Sequence, residues 1–203
     1  SRDADDLKKR KRQLDKALEE TPHDVDLLYA LAMTEDQMGQ TSSAIEKLQR
    51  AILLTPNDID IERSLGNFYL KIGNAGKACT HLMNVEKNEP NNEEVIFSLG
   101  KCHFALNDFN KALNYFLKLD GGKIHDQDVN YFIAMTYGKL NQIGESHYYF
   151  GLHFKNEGKK ESALYHFLKT RDYFAKDSER GKAISDALAE MGSKDKTRPP
   201  LLR

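Results

Sequence analysis

The sequence predicts an all-α fold: a right-handed α-solenoid of antiparallel helical hairpins, closed by a C-terminal capping helix. Two observations predict it. Pro22, Pro56 and Pro90 recur at intervals of 34 residues, each after an apolar helical stretch and before a turn of Asn, Asp or His. Between the prolines, small and large apolar residues return at the same offsets. A fixed period of this length marks stacked helix–turn–helix units, since one hairpin cannot bury its own apolar face. The composition agrees. Of 203 residues, 39% are apolar and 30% charged, with a mean hydropathy of −0.66. Each hairpin then has one side to bury and one to wet. The formal net charge of −1 provides no global basic field for nucleic acid or anionic lipid. No apolar run approaches the roughly 18 residues of a membrane span. No secretory leader pattern is present, but Ser1 is not a natural start, and the chain is expected to be part of something longer. Two cysteines, Cys79 and Cys102, make neither a disulfide framework nor a zinc set.

The first full repeat, 25–58, places Leu28, Leu31, Ala32, Gly39, Ala44, Leu48, Ala51 and Pro56 at positions 4, 7, 8, 15, 20, 24, 27 and 32. The second, 59–92, supplies Leu65, Gly66, Tyr69, Gly73, Ala78, Leu82 and Pro90, and the third, 93–120, supplies Ile96, Leu99, Gly100, Phe104, Ala112 and Phe116. This is the pattern of tetratricopeptide repeats. Small residues at positions 8 and 20 let two helices approach closely, and large ones at 7, 11 and 24 fill the space beside them. Gly39 and Gly73 stand where the first helix must end in a left-handed cap. Asn107–Asp108 replaces them in the third repeat, and Asn tolerates that backbone region. Asp24, Asp26, Asp58, Asp60, Glu93 and Glu94 gather at helix starts, where the dipole favours anions. Asn91 with Glu94 reads as a capping pair.

The register then changes. A glycine-rich connection runs from Asp120–Gly121–Gly122 to His125, and a helix follows from about Gln127 to Leu140, with Ile133, Ala134 and Tyr137 at positions 7, 8 and 11. The next match begins 17 residues on and carries Phe150, Gly151, Phe154, Gly158, Ala163 and Phe167. Half a period implies that the helix at about 144–157 closes one hairpin and opens the next. The fourth block therefore spans 127–176. A last helix, 178–191, should cap the stack with a polar outer side. The tail, 192–203, contains Pro199–Pro200 and reads as flexible. At the front, Leu14, Ala17 and Pro22 match positions 24, 27 and 32, so residues 1–22 read as the second helix of a truncated upstream repeat.

One stretch is more particular than a generic repeat. Tyr137–Gly138–Lys139–Leu140, Glu145–Ser146–His147–Tyr148–Tyr149–Phe150–Gly151–Leu152, Gly158, Ala163–Leu164, His166–Phe167 and Asp177–Ser178–Glu179–Arg180 form a connected set. Over about 130–185 it resembles the C-terminal repeat tail of bacterial periplasmic HExxH zinc metalloproteases, the class of the β-barrel assembly-enhancing protease. The resemblance implies a cell-envelope, periplasmic setting. It also implies an upstream zinc protease domain, and a tail that docks substrates or assembly machinery. HExxH itself is absent here, so no catalytic residue carries over. No cofactor is expected in this chain, and zinc only in the upstream domain.

Several constellations have plain readings. His147 and His153 are six apart and do not share a helix face as an i, i+4 zinc pair would; His166 lies on the next helix, and packed or exposed histidines are the expectation. Lys8 to Arg12 is a basic run flanked by Asp3, Asp5, Asp6, Glu19 and Glu20, which reads as a solvated helix face. Cys79 and Cys102 fall on neighbouring helices, and a bridge is conceivable in an oxidising compartment. Given the strict geometry of a disulfide, two buried thiols that do not meet are expected.

The functional candidate is the groove. In this fold, positions 5 and 9 of each first helix line the concave face. Position 5 supplies Tyr29, Arg63, Phe97, Tyr131 and Tyr148; position 9 supplies Met33, Asn67, Lys101, Met135 and Leu152. Aromatics, Met and Arg are enriched at interaction surfaces. Tyr29 and Met33 stand where a clamp for a terminal carboxylate would need Lys and Asn, which disfavours a chaperone-tail adaptor. The expectation is a non-catalytic protein-interaction module that binds protein or peptide segments and no nucleic acid. Alternatives are a stand-alone scaffold for secretion or pilus assembly, and a substrate gate within an enzyme.

Overall fold

The structure, a computed structural model, describes residues 2–120 and 128–193. These residues are helical, with no strand among them, and the chain divides into two compact units, Ser1–Asp108 and Phe109–Arg203.

The first unit holds α1 (Arg2–Glu20), α2 (Val25–Gln37), α3 (Thr41–Leu54), α4 (Ile59–Lys71), α5 (Ala75–Asn88) and α6 (Glu93–Ala105). First helices start on side-chain caps. Asp24 accepts the Leu27 amide, and Asp58 accepts those of Asp60 and Ile61. At α6 the cap is Asn92, which accepts the Glu94 and Val95 amides. This corrects the reading of Asn91: the chain needs one more turn residue after Pro90 before a side-chain oxygen can reach the second and third amides. First helices end as the sequence implies, with Gly39, Gly73 and Asn107 in the left-handed region (φ 77°, 79° and 60°). Asn57, in the turn after Pro56, adopts it too (φ 67°).

Packing follows the repeat arithmetic. α2 pairs with α3 and α4 with α5, while α1, α3 and α5 each lean on the next first helix. Leu28, Leu31, Ala32, Leu48, Leu65, Ala78 and Leu82 lose all exposure, each leucine contributing about 1.5–3 kcal/mol of transfer free energy. A Cβ on Gly66 would lie 2.5 Å from Leu82 Cγ. Position 8 must therefore be small so that position 24 can be large.

The interior of this unit also holds chemistry that the repeat pattern does not announce. Glu35 is 1% exposed. The Lys11 ammonium donates to its Oε1 at 2.5 Å, and Lys47 stands 3.7 Å from its Oε2. Burial opposes the charged form, yet the Lys11 hydrogen bond and the cations hold the Glu35 carboxyl below its usual range. Lys11 thus leaves the solvated face predicted for the basic run, while Lys8, Lys9, Arg10 and Arg12 remain exposed. The cysteines also differ from expectation. Both are buried thiols without a disulfide, and Cys79 and Cys102 hydrogen-bond to each other.

The second unit holds α7 (Phe109–Leu117), α8 (Asp128–Lys139), α9 (Ile143–Asn156), α10 (Lys160–Lys169), a 3-10 turn at Thr170–Asp172, and α11 (Glu179–Ser193). Residues 121–127 of the expected connection and 194–203 of the expected tail lie outside the described residues. α9 packs against α8 on one side and α10 on the other. A Cβ on Gly151 would lie 2.6 Å from Phe167 Cε1, repeating the relation of Gly66 to Leu82. Ala163, Phe167, Ile184, Ala187 and Met191 form one buried cluster that seats α11. Counted from Ser178, Ile184, Ser185 and Leu188 fall at positions 7, 8 and 11, so the capping helix has the pattern of a further first helix. Ser178 caps it by accepting the Gly181 amide. Gly181 is obligatory, because a Cβ there would lie 2.0 Å from the Ala175 carbonyl oxygen.

Gly66→Ala should therefore lower stability by about 1–3 kcal/mol through overpacking against Leu82. Gly76, also helical but with open space around its Cβ, should accept alanine at no cost or gain about 0.5 kcal/mol from helix propensity. Denaturant unfolding of the two variants checks this contrast, and equal midpoints would contradict the packing account.

Candidate functional site

In the first unit, first helices of successive repeats are tied side by side. The Tyr29 hydroxyl on α2 hydrogen-bonds Ser64 Oγ on α4 at 3.2 Å. Ser98 on α6 donates to Asn67 Oδ1 on α4 at 3.1 Å. Position 6 of one repeat thus meets position 5 or 9 of the one before. Tyr29 and Met33 remain half-exposed and Asn67 exposed beside these ties.

Two of the predicted groove residues have other engagements here. The Arg63 guanidinium donates to both oxygens of Glu89 at 2.7 and 2.8 Å and to Asp60 at 2.9 Å. Both bonds to Glu89 come from the one nitrogen Nη2, and charge-assisted bonds of this kind are strong. Arg63, expected at the groove, is thus engaged within the chain by a carboxylate 26 residues away. Phe97 is only 8% exposed, and the Lys101 ammonium lies 4.7 Å from its ring centroid. At this position the surface presents the lysine rather than the ring.

In the second unit, Tyr131 on α8 is 36% exposed. It stands edge-on to Phe150 at 5.9 Å and tilted against His153 at 5.3 Å, so the inner part of its ring is held while the rest faces out. Met135, one turn on, is half-exposed. Tyr148 is placed differently. The Arg180 guanidinium of α11 covers its ring at 4.0 Å and binds Glu145 Oε2 at 2.9 Å. Leu152 packs against the cluster that seats α11. These two residues hold the capping helix. Beneath them, Tyr149 donates to Asp120 Oδ2 at 2.6 Å and stacks on Tyr137 at 5.6 Å. Burial, then that hydrogen bond, pushes the Tyr149 phenol well above its usual range.

Sequence spacing separated His147 from His166, but the hairpin brings them together, Nδ1 to Nδ1 at 2.9 Å. One nitrogen must donate and the other accept. Phe150 and Phe154 lie against His166, centroids at 5.2 and 5.3 Å. Burial, with His147 beside it, lowers the His166 pKa to about 4. Burial and then Lys169 lower that of His147. His147 and His166 stand at positions 4 and 23 of their repeat, the same positions at which Glu62 meets His81 in the second repeat, and that offset is the signal in the sequence.

Among the described residues, no group of three or more His, Cys, Asp or Glu could hold a metal ion. No described helix is long and apolar enough to cross a membrane. Clefts of about 230 Å³ beside Glu62 and Asn84, and about 160 Å³ beside Phe174 and Ile184, are smaller than the roughly 300–1,000 Å³ of ordinary small-molecule pockets. Within each unit, the first-helix side chains at positions 5 and 9 form a further surface.

A family model of the tetratricopeptide repeat matches residues 25–58. A search of curated proteins by sequence returns no match. Among solved structures, the crystal structure of MamA is similar, with a TM-score of 0.69 and 22% identity over 79% of this chain and 94% of that one. The structure described as MamA RS-1 ArsTM double mutant gives 0.70 and 16% over 77% and 88%. At these identities the likeness shows the fold: an α-solenoid of the tetratricopeptide type.

The histidine pair makes acid stability a test of this geometry. In the unfolded chain both rings titrate near 6.5. As pH falls from there toward 4, the unfolded chain takes up protons that the folded one refuses, so stability falls. Glu35, with its depressed pKa, adds to the loss only below the ordinary carboxylate value of 4.5. The unfolding midpoint should drop between pH 7 and pH 5, and His166→Phe should flatten that drop. Scanning calorimetry at pH 7, 6 and 5 checks both, and a midpoint insensitive to pH in the parent chain would contradict the buried pair.

Proposed function

We propose that this chain is a non-catalytic protein-interaction module that binds extended or helical protein segments on the first-helix faces within each of its two units. The observation that carries the reading is the state of positions 5 and 9. Tyr29 and Met33 in one unit, and Tyr131 and Met135 in the other, are anchored on their inner side and open on the outer. An aromatic ring held this way has little rotamer freedom left to lose, so it contributes area at low entropic cost. Asn67 and Lys101 add polar contacts beside them. Arg63, Phe97, Tyr148 and Leu152 shape the surface from within.

The finer reading places the module in a bacterial envelope zinc metalloprotease, docking substrates or assembly partners. It rests on the resemblance between Tyr137 and Arg180. A stand-alone scaffold for secretion or pilus assembly is the competing reading. What favours it is that the key residues of the resemblance have packing or ion-pair roles in this chain, which a repeat array of any parentage would need. The gene that encodes the chain separates the two: an HExxH-bearing domain preceding residue 1 supports the protease, and further repeats alone support the scaffold.

The groove itself is tested by Tyr131→Ala and Tyr29→Ala. Each should weaken binding of a cognate partner by about 2 kcal/mol and leave the melting temperature within a few degrees. Tyr148→Ala should do the reverse, lowering the melting temperature by removing the seat of Arg180. Calorimetric titration and thermal unfolding on the same variants decide it. Intact binding with a lowered melting temperature for Tyr131→Ala would make that residue a packing residue.

A further inference from the structure

Cys79 and Cys102 occupy an inter-repeat junction. Cys79 is at position 21, on the second helix of one repeat, and Cys102 is at position 10, on the first helix of the next. One repeat earlier the same two positions hold Ile45 and Phe68, both in the core. Two large apolar side chains have thus been replaced by two small sulfur residues that touch one another. Cys79 is 6% exposed and Cys102 fully covered. They are the only cysteines in the chain, and neither the fold nor the proposed groove calls for a thiol at either place.

We propose that Cys79 and Cys102 are a dithiol that oxidises to an intramolecular disulfide, a modification site linking α5 to α6. The oxidant is a disulfide of the glutathione class. The Cys79 thiolate, on the less covered residue, attacks one sulfur of the oxidant and displaces a thiolate. The Cys102 thiolate then attacks the Cys79 sulfur of that mixed disulfide and displaces the second. Two thiols of the chain lose two electrons and two protons, and one glutathione disulfide becomes two glutathione thiols. The hydrogen bond between the thiols brings the two sulfurs within reach of each other, the proximity a disulfide needs before its Cβ geometry can be met. Burial, followed by the Cys79 hydrogen bond, raises the Cys102 pKa far above its usual range. With Cys79 buried as well, both steps proceed only when α5 and α6 open locally, and oxidation is slow.

The product would tie the second repeat to the third and close the loop that contains Pro90 and the Asn92 cap. It would also fix α6, which carries Phe97 and Lys101, against the helix that supports α4. Such a tie lowers the entropy of the unfolded chain, so the bridged form should melt higher than the dithiol.

The test is incubation of the native chain with excess oxidised glutathione, followed by alkylation under denaturing conditions, intact mass and tryptic mapping. Expected is a monomer lighter by two hydrogens, without alkylation, in which peptide 78–87 is joined to peptide 102–111. Its melting temperature should exceed that of the same sample after reduction. Cys79→Ser should leave Cys102 as a thiol that alkylates only on unfolding, which reports the native burial independently. Stable glutathione adducts on either cysteine, or two alkylatable thiols after prolonged exposure both to glutathione disulfide and to diamide, would overturn the proposal. So would a cross-linked chain that melts below the reduced one.

Discussion

The close approach of two helices at position 8 is the constraint on which the other features depend. Gly66 admits Leu82, Gly151 admits Phe167, and in the first repeat Ala32 and Leu48 are both completely covered. Once position 8 faces the partner helix, helical geometry orients the rest of the surface. At about 100° per residue, position 5 lies about 60° from position 8 and position 9 about 100° from it. Neither position can be fully open, and neither need be fully closed. The same arithmetic yields a half-buried Tyr29, an exposed-edge Tyr131 and an interior Phe97. The difference among them comes from what stands alongside: Ser64 or His153 from a neighbouring helix, or Lys101 one turn on along the same helix.

This explains which features are legible in the sequence. Helix ends are local. Gly39, Gly73 and Asn107 adopt the conformation that their residue types and offsets announce, because a left-handed residue is decided within one turn of chain. The hairpin core is legible for a related reason: its partners recur at a fixed offset, so three repeats vote on the same contact. Lateral contacts between repeats have neither property. Arg63 finds Glu89, Lys11 finds Glu35, and Cys79 finds Cys102 across 23 to 26 residues, and each occurs once. Nothing in the period distinguishes a solvated lysine from one turned inward to a carboxylate. The Asn92 cap shows the same limit on a smaller scale, since Asn91 and Asn92 are equal in type and only the path of the turn chooses between them.

The interior polar groups also show what a repeat array adds to a hairpin. A buried carboxylate such as Glu35 would be costly alone. It is tolerated because α1 lends Lys11 to its Oε1 and α3 places Lys47 3.7 Å from its Oε2, so cations of two flanking helices offset one carboxylate. Glu62 is treated likewise on the next hairpin: His81 Nδ1 lies 2.5 Å from its Oε2, and Asn84 donates to its Oε1 at 3.1 Å. Apolar burial makes the hairpins cohere, while these paired groups select which helices are neighbours. A slipped register would strand a charge in the core, a penalty of several kcal/mol per ion.

The same logic applies to the stretch between Tyr137 and Arg180. Gly151 makes room for Phe167, His147 meets His166, and Tyr137 stacks on Tyr149. Arg180 binds Glu145 and covers Tyr148, and Ser178 caps the helix that Arg180 opens. These contacts attach α11 to the last hairpin, and they use the aromatic and charged side chains that stand out most in the sequence. Conspicuous residues in a solenoid are thus divided between two demands. Around α11, rings and ion pairs supplement the apolar contacts of its buried cluster. On α8 the position-5 ring keeps an outward edge. Tyr148 and Tyr131 occupy the same position of successive first helices, and of the two only Tyr131 leaves a ring edge uncovered. The distinction follows from the presence of Arg180 rather than from anything in the two tyrosines themselves.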